Sequence, residues 1–210
     1  MPRSLIYLWM TVGLVGSALG SDVTVLLDFD GPHSDRSVLQ MKREVEQIVK
    51  ESGVRLQWRT GREATGDLPA NLVVVRFRGR CVLEPDPILY DERGPFASAY
   101  STDGEMLPFT EVDCHHVAAS VQTALAGDDF GRLDYLMGRA LGRVVAHELV
   151  HVLTRSAAHG QDGVTQAALS GKALIGAPLR LSRADLERLR LFRTKSEEPT
   201  ATGAKSSPGW

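Results

Sequence analysis

Residues 144–154 read Val-Val-Ala-His147-Glu148-Leu-Val-His151-Val-Leu-Thr, and a third histidine, His159, follows His151 by eight positions. On a helix, residues four apart share a face, so His147 and His151 can grip one metal ion together. Glu148 lies too far round to be a natural third ligand, but it can reach a water held at the metal's open position and take its proton. The flanking residues are apolar almost all round, which marks a helix buried in a core. Three ionisable side chains are costly there unless they are paired or coordinate something. A metal centre therefore explains the stretch better than core histidines satisfied by other bonds.

A catalytic zinc takes three protein ligands and leaves a fourth position open, so a third ligand is required. His159 is the first choice, because a chain turning back under the metal at Gly160 could present it. The competitors are the downstream carboxylates Asp162, Asp185 and Glu187. Of these, Asp185 and Glu187 already suit a helix cap and an exposed helix face.

Outward from this helix, the chain reads as alternating strands and helices. Val23 to Phe29 and Asn71 to Phe77 are nearly continuous apolar runs, as buried strands are. Ser34 to Ser52 repeats Val38, Met41, Val45 and Ile48 at spacings of three and four before Gly53, which predicts a helix. Val54 to Arg59 alternates with period two. Strand, helix, strand implies a parallel crossover. The segment 83–95, with three prolines, reads as an irregular loop.

Phe96 to Tyr100 and Met106 to Val112 flank Asp103-Gly104, a hairpin turn signal. Either strand suits a sheet edge, and Pro108 argues against a fully paired position for the second. A short helix over Val117 to Ala126 follows. The long helix spans Arg132 to Thr154, with Arg132, Arg139 and Arg143 as its polar stripe. Ser182-Arg-Ala-Asp185 resembles a capping box opening a last helix that ends near Thr194. The expected class is α+β: a twisted mixed sheet of four to five strands, a backing helix, and the buried helix that carries the histidines.

With 210 residues, 43% apolar and 24% charged, the chain suits one domain with a sizeable core. A net charge of −2 offers no basic footprint for nucleic acid and no polybasic stretch for anionic lipid. Residues 1–20 read as a secretory signal: Arg3, the apolar run Leu5 to Val15, and Ala18-Leu19-Gly20 as cleavage site. The rival reading is an uncleaved anchor, for which the run is short against a core of about 30 Å. The expected organisation is a signal peptide at 1–20, a domain at 21–194 and a disordered tail at 195–210, with the mature protein secreted or periplasmic and not inserted in the membrane.

In an oxidising compartment two cysteines favour a disulfide, here Cys81 to Cys114. The rival is a second metal cluster at Cys114-His115-His116, which on a strand would need a bend, because adjacent side chains point to opposite faces.

At His147-Glu148-x-x-His151 with His159 the sequence resembles the zincin metallopeptidases. Within them it is similar to the metzincin-like branch, whose third ligand is a histidine just after the helix, and to small exported bacterial proteins with that third histidine eight residues on. The resemblance covers mainly Arg132 to Val164. It implies Zn2+ on His147, His151 and His159, Glu148 as general base, and a peptide or protein substrate laid as an extra strand along a sheet edge supplied by the hairpin. Two departures stand out. The metzincin pattern has Gly three residues after the second His and the third His at six, where this chain has Thr154 and Ala157. No Met follows Met137, and Thr165 occupies the stretch where a methionine turn could fall. Tyr135, Arg143, His115 and His116 are the candidates for oxyanion stabilisation. The sheet requires the residues upstream of the long helix, which leaves no room for an inhibitory prosegment, and a paired Cys81 could not cap the metal. The alternative function is a non-catalytic binding or structural module on the same fold, with or without the metal.

Overall fold

The computed structural model describes residues 22–61, 69, 71–84 and 94–197. The strands are β1 (Asp22–Phe29), β2 (Arg55–Thr60), β3 (Leu72–Arg78), β4 (Ala97–Thr102) and β5 (Glu105–Asp113). The helices are α1 (Asp35–Val49), α2 (Cys114–Gln122), α3 (Leu133–Thr154), α4 (Gly171–Ile175) and α5 (Arg183–Glu197), with single 3-10 turns at Lys50–Ser52 and Gly127–Arg132. The signal-peptide expectation, most of the proline-rich loop and the tail beyond residue 197 lie outside the described residues. Helix α5 runs three residues past its expected end at Thr194. Among the described residues no helix is long and apolar enough to cross a membrane.

The five strands form one mixed sheet in the order β2-β1-β3-β5-β4. β1 pairs in parallel with both β2 and β3, β3 with β5, and β4 closes antiparallel on β5. This is the α+β arrangement expected, and its parallel part follows from the crossover through α1. Val23, Val25, Leu27, Val73, Val75 and Phe77 are all buried, as the continuous apolar runs require.

Strand β5 corrects the edge expectation. It lies inside the sheet, between β3 and β4. Pro108 is tolerated there because pairing with β3 begins only at Phe109, while the register with β4 shifts between Ala99 and Ser101. The proline therefore falls where neither ladder needs its missing N–H. The turn between β4 and β5 has Asp103 and Gly104 at φ 50° and 81°, both left-handed, as a two-residue hairpin demands. Among the described residues β4 is the edge strand beside the histidine helix.

Helix α2 begins at Cys114, earlier than the Val117 expected, because the Asp113 side chain accepts a hydrogen bond from the His116 amide at 3.0 Å and caps the helix. Cys114-His115-His116 is therefore a first helical turn, and the strand argument used against a metal cluster there does not apply. What excludes the cluster is the disulfide. Cys114 pairs with Cys81, which leaves the neighbouring strand β3, with Cα atoms 4.7 Å apart and both residues fully buried. Closing that 33-residue span contributes roughly 3 to 4 kcal/mol in the chain-entropy model.

Helix α3 packs against α1 and against β3, β4 and β5 of the sheet, while α1 also meets β2. Its approach to α1 depends on two glycines one turn apart. A Cβ on Gly138 would stand 2.4 Å from the Ser37 carbonyl oxygen, and one on Gly142 would stand 2.9 Å from that of Met41. Gly138→Ala should therefore lower stability by about 1 to 3 kcal/mol through overpacking, although alanine is the better helix former. Gly131→Ala, where nothing lies within 4 Å, is the control and should not destabilise. Urea-unfolding midpoints decide, and equal midpoints for the two variants would reject the close-contact account.

Arg132, Arg139 and Arg143 do not form an exposed stripe. Arg132 stands before the helix, paired with Asp129, whereas Arg143 is completely buried and Arg139 nearly so, both against Glu44 of α1.

Candidate metal centre

His147 and His151 point from the last turns of α3 toward His159, which follows the helix. One ring nitrogen from each of the three lies within 4.8 Å of the others, and among the described residues no other group of His, Cys, Asp or Glu gathers this way. His151 is buried, His147 half-buried and His159 exposed, so the cluster opens to solvent on the His159 side.

Backbone carbonyls fix the two helical rings. His147 Nδ1 lies 2.9 Å from the Val164 carbonyl oxygen and His151 Nδ1 lies 2.6 Å from that of Ser156. A carbonyl only accepts, so each Nδ1 carries the proton and each Nε2 keeps its lone pair. The two Nε2 atoms face each other at 2.9 Å. Lone pairs that close repel unless a cation sits between them. Tetrahedral zinc with Zn–N near 2.0 to 2.1 Å separates its ligand nitrogens by ~3.3 Å, a spacing that small ring rotations reach from here. Three imidazoles, two of them oriented by outer carbonyls, fit that metal and leave one position of the tetrahedron free.

The departure at Thr154 is resolved one residue later. Thr154 stays helical, and Arg155 takes the left-handed conformation (φ 51°, ψ 41°) that ends the helix. The Ser156 amide then donates to the His151 carbonyl at 3.1 Å. The same turn brings the Ser156 carbonyl to the His151 ring, so helix termination and ligand orientation come from one reversal of the chain.

Glu148 is 6% exposed, and its Oε2 lies 3.3 Å from the Thr110 hydroxyl of β5. Thr110 is itself fully buried, and its one hydroxyl proton is shared between Glu148 Oε2 and the Ser98 carbonyl oxygen, 3.1 Å away. A polar residue in the inward register of a strand, beside Val112, was the available sequence signal for this partner. The histidines and Glu148 border one cleft of about 520 Å³, whose other walls are mostly apolar, with Phe96, Ala99, Met106 and Leu169 beside the polar His116, Ser120 and Gln166.

The other sequence candidates are distributed as follows. Of the possible oxyanion donors, only His116 lines the cleft, with its Nδ1 3.2 Å from the Pro95 carbonyl oxygen. Tyr135 is exposed under the Arg132 guanidinium, and Arg143 is committed to Glu44. Asp162, Asp185 and Glu187 stand outside the histidine cluster. Glu187 is exposed beside Arg183, whereas Asp185 is fully buried in the capping box of α5.

Burial sets the electrostatics. It lowers the His147 pKa from 6.5 to about 4, helped by His151 and His159 and opposed by the Val164 carbonyl. His151 is lowered for the same first reason. Burial raises Glu148 from 4.5 to about 7, against the Thr110 hydrogen bond. In metal-stripped protein these shifts act in opposite directions on stability. The His147 contribution is complete above its unfolded value of 6.5 and is lost as pH falls toward about 4, while that of Glu148 is complete below 4.5 and is lost as pH rises through about 7. Between these limits one protonation offsets the other. Metal-free Glu148→Gln should consequently lose up to about 3 kcal/mol more than the native protein between pH 7 and pH 4. Urea midpoints in EDTA measure it, and parallel pH curves for the two proteins would reject the assignment.

No family model matches the chain, and no curated protein matches it. Among solved structures it is similar to archaemetzincin from Methanopyrus kandleri, at 14% identity and a TM-score of 0.49, over 81% of this chain and 95% of that one.

Proposed function

We propose that the chain is an exported zinc-dependent peptidase with His147, His151 and His159 as metal ligands and Glu148 as general base. The observation that carries this reading is the convergence of three imidazoles, two with Nε2 fixed as acceptor, in a cleft that also holds a buried carboxylate. Export is supported by the composition of residues 1–20 and by a buried disulfide, a bond that persists in oxidising compartments.

When bound, zinc supplies Lewis acidity, polarising the scissile carbonyl and acidifying water. Glu148 does the proton work. Its Oε2 is held by Thr110, which leaves Oε1 to take the proton of the attacking water and hand it to the departing amine. Burial keeps the carboxyl pKa near neutrality in the metal-free protein, a value suited to accepting and releasing a proton in one cycle. Ala97 and Ala99 on β4 line the cleft, and β4 is the sheet edge on that side, so a substrate peptide adds there as a further strand.

The test is direct. Chain stripped with EDTA and reloaded should bind one zinc and cleave casein or a peptide library, and His159→Ala should lose both. A His159→Ala protein that binds zinc as tightly as the native one would remove the three-histidine reading. Stoichiometric zinc without cleavage in the native protein would favour a non-catalytic module.

A further inference from the structure

The geometry assigns Asp185, acting through Thr165, the role of positioning residue for His147. This rests on the proposed metal site for its consequence, but the contacts stand by themselves. His147 is oriented by the Val164 carbonyl, a backbone group whose place depends on what holds residues 163–165. Those residues are clamped from three sides. The Val164 amide donates to the Arg180 carbonyl at 2.9 Å, the Thr165 carbonyl accepts from the Gly160 amide at 2.9 Å, and the Thr165 hydroxyl donates to Asp185 Oδ2 at 2.7 Å. Gly160 directly follows His159, so the unit that fixes His147 also fixes the start of the third ligand's return.

Capping alone does not account for Asp185. A capping box needs its N3 side chain only to reach back to the N-cap amide, and Oδ2 does so at 3.3 Å from the Ser182 nitrogen. Such a carboxylate ordinarily stays in water, yet Asp185 is fully buried. Its remaining capacity is used by the Ser182 hydroxyl, by Arg188 and by Thr165, the only donor among them from outside α5 and its cap. Thr165 is likewise fully buried, so no solvent can replace the lost partner if either group is removed. Helix α5, which brings no ligand, thereby becomes part of the metal centre.

The experiment compares native protein with Thr165→Val, which keeps the shape and removes the hydroxyl, Thr165→Ser, which restores it, and Asp185→Asn. The first readout is the imidazole nitrogen spectrum of metal-free protein. Native His147 should show the proton fixed on Nδ1; in Thr165→Val and Asp185→Asn it should become a mixture of tautomers, while His151, held by Ser156, stays unchanged. The second is zinc affinity, expected to fall about 10- to 100-fold in Thr165→Val and to recover in Thr165→Ser. An unaltered His147 tautomer together with native zinc affinity in Thr165→Val would overturn the assignment. A shifted tautomer in a protein that binds no zinc in its native form would uphold the clamp and remove the metal reading.

Discussion

Glu148→Gln should reduce turnover of a peptide substrate by about 10² to 10⁴ while zinc stays near one per chain. The substitution is chosen for what it preserves. Glutamine has the size of the carboxylate, its oxygen can still accept from the Thr110 hydroxyl, and the site is 6% exposed, so replacing an ionisable group by a neutral one does not weaken the fold at neutral pH. What it removes is the atom that carries the proton. Metal content should therefore remain native, the unfolding midpoint should not fall, and the loss should lie in kcat. Equal turnover by the two proteins would sink the mechanism. Failure of both to cleave, with zinc bound in each, would leave the histidine cluster as a metal site and point to the non-catalytic module.

How far this site could be read from the sequence depends on whether side chains or backbone make each part. The His147-Glu148-x-x-His151 helix was legible because an apolar run leaves no bland use for three ionisable groups. His159 was legible because the chain had to return to the metal soon after the helix. The parallel strands were plain in their unbroken apolar runs, and the Cys81–Cys114 pair followed from compartment and count. The orienting groups on His147 and His151 are carbonyls of Val164 and Ser156, and a carbonyl has no residue identity to read. The reversal at Arg155 was hidden because a long cationic side chain gives no sign of a left-handed backbone. Pro108 misled for a related reason: its effect depends on ladder register, and the register shift beside it is set by pairing with β4. Asp185 was read as a cap, which it is. Its contact with Thr165 joins residues 20 apart and becomes visible only when α5 packs.

Arg143→Met should cost about 3 to 5 kcal/mol, the penalty for removing one partner of a buried ion pair. Arg143 has no exposed surface, and its guanidinium is divided among three acceptors: Glu44 of α1 at 2.9 Å, the Gly176 carbonyl at 3.2 Å and the Ala173 carbonyl. Burial pulls its pKa down and Glu44 pushes it back up. Methionine fills most of the volume, so the loss comes from leaving Glu44, 13% exposed, with only the longer 3.5 Å pair to Arg139, and from stranding two carbonyls. The double variant Arg143→Met with Glu44→Met should recover less than half of the loss, because it removes the buried carboxylate but takes from Arg139, 15% exposed, the partner it shares with Arg143. Unfolding in urea with EDTA present keeps metal linkage out of the comparison. A single-variant loss below about 1 kcal/mol would mean that the pair is not the buried lock the contacts describe. The consequence for the site follows from position. Arg143 is one helical turn before His147 and ties α4 to α3, and α4 begins just after the segment whose Val164 carbonyl orients that histidine. The same single variant should therefore weaken zinc binding as well as the fold, whereas Gly138→Ala, which disturbs only the face of α3 toward α1, should lower stability and leave zinc affinity near native.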